Sequence, residues 1–271
     1  MPDALAAPVS PIKTVGRFAR RAGAVTMIAA LAWWILFDSP TLIAATFTYF
    51  NAAADTVASV ARGTAAVKAF WMPYEPVAFW GGCAALVIGM LLDPLGFTAD
   101  VDTANEKVGV VCNWLILLAC IVSGGNAMVR YAYDSSSNAW LEVQWYMFAV
   151  IIMFGASYTL KRNEHVRVDL FYMTLSRRGQ LWVDILGTIV FLLPTCAILA
   201  WLSWPFFLQS YNVLENSSNA GGLLRWPIKL VLPLGFGLVA LQGLSEVIKR
   251  IAFLNDYAVD SLEAHYERPT Q

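Results

Sequence analysis

Four apolar stretches, residues 108–129, 139–160, 181–204 and 230–248, dominate this chain. A helix needs roughly 20 apolar residues to cross the hydrocarbon of a bilayer, and each stretch meets that length. Two further runs lie upstream. Residues 22–50 are apolar but broken at Asp38-Ser39-Pro40, and residues 77–92 are short unless Phe70, Trp71 and Met72 extend them. The sequence therefore predicts an all-α membrane protein with about six transmembrane helices. Between the first two spans, residues 51–70 place Ala53, Val57, Val60, Ala61, Thr64 and Val67 at helical spacing. That pattern predicts an interfacial amphipathic helix.

Composition supports this class. Only 14% of the 271 residues are charged, against about 25% in globular chains. The net charge of −1 supplies no basic field for nucleic acid. Cys83, Cys112, Cys120 and Cys196 all lie in apolar segments without metal-ligand spacing and read as small buried hydrophobes. Lys13, Arg17, Arg20 and Arg21 precede the first apolar run in the manner of a signal peptide. The run continues too far for one, and the expectation is a retained anchor.

Orientation follows from Lys and Arg, which favour the cytoplasmic side. With both termini inside, thirteen of the eighteen cations are cytoplasmic. The other five, Arg62, Lys68, Arg130, Arg225 and Lys229, are outside. Tyr131, Tyr133, Trp140, Trp145, Tyr146, Trp204 and Trp226 then fall near the outer boundary, as an interfacial aromatic belt requires.

Charges inside a span cost a few kcal/mol on insertion scales, roughly 2.5–3.5 each, so each needs a reason. Glu142 lies near the outer end of its span, where Arg225, Arg130 or a partner subunit can meet it. Asp184 is expected to pair with Arg177 or Arg178, and Glu246 with Lys249 and Arg250 at i+3 and i+4. Asn113, Ser123, Asn126, Ser157 and Gln242 read as interhelical hydrogen-bonders, with Gly124, Gly125, Gly155 and Ala156 allowing close packing. Helix breaks are expected at Pro233 and Gly124-Gly125, but they do not match as two halves of a self-contained carrier. No acidic chain crosses the bilayer, and the two histidines, His165 and His265, are not placed to bind haem. No P-loop, metal motif or nucleophile–base set is present. No cofactor and no enzymatic activity are expected. A self-contained carrier and a haem- or quinone-linked anchor are disfavoured. A membrane anchor or assembly subunit of another inner-membrane complex remains the alternative to a transporter scaffold.

Three blocks sharpen the reading. The first is residues 136–148, which include Trp140, Glu142 and Trp145. The second is residues 158–169, with Tyr158, Leu160, Arg162, Glu164, His165, Val166, Arg167, Val168 and Asp169, followed by 175–178 and 182–184. The third is residues 219–229, with Gly221, Gly222, Arg225 and Trp226, followed by 233–236 and 241–243. In this order and at helix-sized spacing they resemble the small membrane subunit (DctQ type) of tripartite ATP-independent periplasmic (TRAP) transporters. The wording is similar to the subfamily labelled mannitol/chloroaromatic. The resemblance implies a small scaffold subunit of a sodium-coupled transporter for organic anions, usually carboxylates. It also implies two protein partners: a large membrane subunit (DctM type) and a periplasmic substrate-binding protein. The location implied is the bacterial inner membrane.

On this reading residues 104–254 are a four-helix core, residues 1–103 an added N-terminal extension, and residues 255–271 a polar cytoplasmic tail. Contacts to the partners or to membrane phospholipids are assigned to Glu142, Arg162, Glu164, His165, Arg167, Asp169, Glu215, Arg225 and Trp226.

Overall fold

The computed structural model describes residues 11–37, 75–134, 137–163, 172 and 174–255. They form helices α1 (Pro11–Phe37), α2 (Glu75–Leu92), α3 (Pro94–Tyr133), α4 (Asn138–Arg162), α5 (Arg177–Gly187), α6 (Leu193–Asn212) and α7 (Trp226–Leu254). A π-helical turn, Thr188–Leu192, joins α5 to α6. Four helical segments are long and apolar enough to span a membrane: α3, α4, the continuous α5–π–α6 rod, and α7. They contain the four long stretches read from the sequence. The predicted surface helix at 51–70 and the second part of the first apolar run lie outside the described residues.

The chain divides into two compact units, Met1–Phe97 and Thr98–Gln271. In the first unit α1 packs against α2 through glycines spaced seven apart. A Cβ on Gly23 would lie 2.6 Å from the Gly82 carbonyl oxygen, and one on Gly89 would lie 2.8 Å from that of Gly16. Only glycine lets the two backbones approach so closely. One end of the pair is stapled by Arg20, which is 3% exposed. Its Nη1 donates to the Gly89 and Asp93 carbonyls at 3.2 and 2.9 Å and pairs with the Asp93 carboxylate at 3.2 Å. Asp93 also accepts from the Gly96 N–H at 3.0 Å, capping the start of α3, where Pro94 occupies the first turn.

In the second unit α7 is central and contacts α4, α5, the π turn and α6. Its helix continues through Pro233, so the expected break there does not occur. Nor does α3 break at Gly124-Gly125. Among the described residues nothing lies within 4 Å of where a Cβ would stand on either glycine, so they bring no two described helices together. The close approaches lie elsewhere, with Gly109 under the Tyr158 ring, Gly235 against Met153 and Gly243 against Leu192. The irregular turn falls instead just before Pro194. Proline offers no N–H and clashes with the carbonyl four residues back. The chain widens there, and the Leu193 N–H reaches the Thr188 carbonyl.

Candidate functional site

The polar side chains of the second unit gather into two groups. One lies where the apolar stretches of α3, α4 and α7 give way to charged sequence. Asp102, Asn105 and Glu106 form one stripe of α3, three and four residues apart. Gln242, Ser245, Glu246 and Lys249 form the facing stripe of α7, at the spacing that keeps side chains on one helix face. Asn105 donates to Gln242 Oε1 at 2.6 Å and accepts from the Ser157 hydroxyl at 2.7 Å, so three helices share one hydrogen-bond chain. Gln242 Nε2 donates to Asp102 and to Glu246, both at 3.0 Å.

Lys249 lies between two carboxylates, 3.1 Å from Asp102 and in a short contact with Glu246. Arg250 pairs with Glu246 at 2.7 Å and with Asp184 at 3.3 Å. The local Glu246 pairs match the expectation at i+3 and i+4. The expected partners of Asp184 do not, because it meets Arg250 and accepts from the Tyr172 hydroxyl at 2.9 Å. Arg177 instead stacks over Phe253, 4.6 Å from the ring centroid. At the edge of this group Lys161 joins Glu106 at 2.7 Å and the Asp102 carbonyl at 2.9 Å. Arg162 reaches Glu106 at 3.5 Å and the Tyr158 hydroxyl at 3.1 Å.

The other group pins the loop between α6 and α7 onto the start of α4. The Glu142 carboxylate is buried and accepts from the Leu223 N–H at 2.6 Å, the Asn219 amide at 3.0 Å and the Ser217 hydroxyl. Asn138 donates to the Ala220 carbonyl at 3.0 Å and Tyr146 to that of Leu224 at 2.8 Å. Gly221 takes a left-handed φ of 70° that favours glycine. A Cβ on Gly222 would meet Ser217 at 2.4 Å. Together they explain the Gly-Gly pair in the sequence. Within the loop Glu215 pairs with Lys229 and, at 3.7 Å, with Arg225. The donated Lys229 hydrogen bond, with the positive charges of Lys229 and Arg225, holds the Glu215 carboxyl below the ordinary glutamate range. Trp226 packs edge-on to Tyr211, with ring centroids 5.5 Å apart.

Of the residues singled out from the sequence, Glu142, Glu215, Arg225 and Trp226 are thus brought together at the pinned loop, while Arg162 belongs to the other group. Glu164, His165, Arg167 and Asp169 lie outside the described residues. Sequence reasoning missed Asp102, Asn105, Tyr146, Ser217 and Asn219. The 102/105/106 spacing just ahead of an apolar run was the signal for the first two. Among the described residues no His, Cys, Asp or Glu cluster could hold a metal ion. All four cysteines are free thiols, with Cys112 and Cys196 buried but Cys120 exposed.

These features define an α-helical integral membrane protein whose buried charged groups, among the described residues, join helices or fix one loop. Residues 111–253, just over half of the chain, match the family of tripartite ATP-independent periplasmic transporters, DctQ component. The chain belongs to that family, and is a small membrane component of a TRAP transporter. No curated protein and no solved structure matches it.

Proposed function

We propose that this chain is the static scaffold subunit of a sodium-coupled TRAP transporter. The transporter takes up organic anions, chiefly carboxylates, delivered by a periplasmic binding protein, with a DctM-type large subunit holding the substrate and sodium sites. The observation that carries this reading is the family match over the same four-span unit whose carboxylates engage one another's helices. Asp102, Asp184 and Glu246 are each bonded to a fixed cation, which suits a support better than an ion path. The mannitol/chloroaromatic likeness is the narrower form of this proposal.

The proposal includes six spans in the inner membrane, with α1 and α2 as an added hairpin and both termini in the cytoplasm. Arg20 and Asp93, paired at one end of the hairpin, then lie together near the cytoplasmic face. The pinned loop faces the periplasm, where Glu142, Glu215, Arg225 and Trp226 shape the surface offered to the binding protein. Arg162 and the Glu164, His165, Arg167 and Asp169 segment meet phospholipid headgroups or the large subunit at the opposite face.

The test is co-expression of the tagged chain with the large subunit and the binding protein. Recovery of the large subunit in comparable amount is expected. Recovery of the chain alone, or with subunits of an unrelated enzyme, would overturn the reading. On the same cells, a cysteine at Ser217 should react with an impermeant thiol reagent from the periplasm, and one at Asn163 only after the membrane is opened.

A further inference from the structure

We propose that the cleft between α3 and α4 seats a transmembrane helix of the large subunit, anchored by a hydrogen bond to Asn113. This rests on the reading of the chain as the small TRAP subunit and locates the face it presents to its partner.

The cleft has a volume of about 420 Å³, and Cys112, Asn113, Ile116, Ile152, Gly155 and Ala156 contribute to its walls. Asn113 is the decisive residue. It lies five residues inside the apolar stretch that begins at Val108, about 7.5 Å along the helix at 1.5 Å per residue. Its side chain is exposed and makes no hydrogen bond among the described residues. The contrast with Asn105, two turns earlier and bonded to both Gln242 and Ser157, is direct.

An amide carries two donor hydrogens and an accepting oxygen. Left facing acyl chains it keeps the full penalty of an unmade hydrogen bond. A lipid tail filling the cleft has no donor or acceptor to offer. A neighbouring helix does, through Ser, Thr, Asn or Gln side chains, or through carbonyls freed at a helix break.

The opposite wall is shaped for such a neighbour. Gly155 and Ala156 present almost no side chain, and a Cβ on Gly155 would find its nearest neighbour, Cys112 Sγ, only at 4.0 Å. Another backbone can therefore come close there. Among the described residues no charged side chain lines this cleft to hold an ionic ligand. A second, separate cleft of about 530 Å³ differs. Its amide, Asn126, lies beside Ser137 and Trp140 at the aromatic boundary, where water and headgroups can satisfy it. It makes no equivalent demand for a protein partner.

The experiment places a photoactivatable benzoylphenylalanine at Ile116 or Ile152 in the intact complex purified with the large subunit. Illumination is expected to join the chain to the large subunit from both positions. In parallel, Asn113→Leu should lower the large subunit recovered with the tagged chain by about three- to thirty-fold, the range of one interhelical hydrogen bond. Asn113→Gln, which keeps the amide, should restore part of the loss. Unchanged membrane abundance and melting of the Asn113→Leu chain by itself would separate this role from a folding defect. Adducts only with lipid, or only within the chain, from a complex that remains assembled would overturn the cleft assignment and leave the scaffold reading standing. A wild-type chain that retains no large subunit would overturn both.

Discussion

Lys249 shows at the scale of one residue how the core is held. It is 4% exposed and bonded to Asp102 on α3 and Glu246 on its own helix. Removing one partner of a buried ion pair leaves an uncompensated charge, at a cost of about 3–5 kcal/mol. Lys249→Met is therefore expected to lower the melting temperature of the purified chain sharply. Lys249→Met combined with Asp102→Asn and Glu246→Gln should recover part of it, as differential scanning fluorimetry can check. Glu215 gives a pH dependence. Its folded pKa is depressed, chiefly by the Lys229 hydrogen bond. Its contribution is thus present above the unfolded glutamate value and is lost as the pH falls through the lower, folded one. The melting difference between wild type and Glu215→Gln should be clear at pH 7 and shrink towards zero in acid. A difference that grows in acid would contradict the assignment. Local pairs such as Glu246–Lys249 were legible because they lie one helical turn apart. The Asp102–Lys249 and Asp184–Arg250 bonds were not, since they depend on which helices meet.

At the scale of the element, the α1–α2 pair and the α5–π–α6 rod depart most from what apolarity alone conveys. Gly16, Gly23, Gly82 and Gly89 are unremarked in a hydropathy reading, yet two spacings of seven bring two backbones into contact. Met27 Sδ and Cys83 Sγ lie 3.6 Å apart across that contact. With Met27→Cys, a short thiol crosslinker should therefore join α1 to α2. Adding Gly23→Leu, whose Cβ would fall 2.7 Å from the Leu86 nitrogen, should abolish the product. Undiminished crosslinking would show that the glycines are dispensable. The π turn had its signal in Pro194. Pro233, by contrast, sits inside an unbroken helix, so proline alone does not decide where a span deforms. The pinned loop was legible only in part. Its Gly-Gly pair stood in the third sequence block, but Glu142 as the acceptor that fixes the loop emerged only from the fold.

For the whole molecule, the four long spans and the family were legible because hydrophobic length and three ordered sequence blocks do not depend on tertiary contacts. The chain divides into a unit holding the α1–α2 pair and a unit holding the four long spans, and the family match over residues 111–253 falls within the second. On the proposed function the chain supports transport without performing it. Reconstitution into proteoliposomes tests this most directly. Uptake of a carboxylate substrate, driven by a sodium gradient and fed by the binding protein, is measured with this chain alone, with the large subunit alone, and with both. Uptake only when both membrane subunits are present is the result expected. Sodium-driven uptake by this chain alone, or full uptake by the large subunit without it, would overturn the scaffold role.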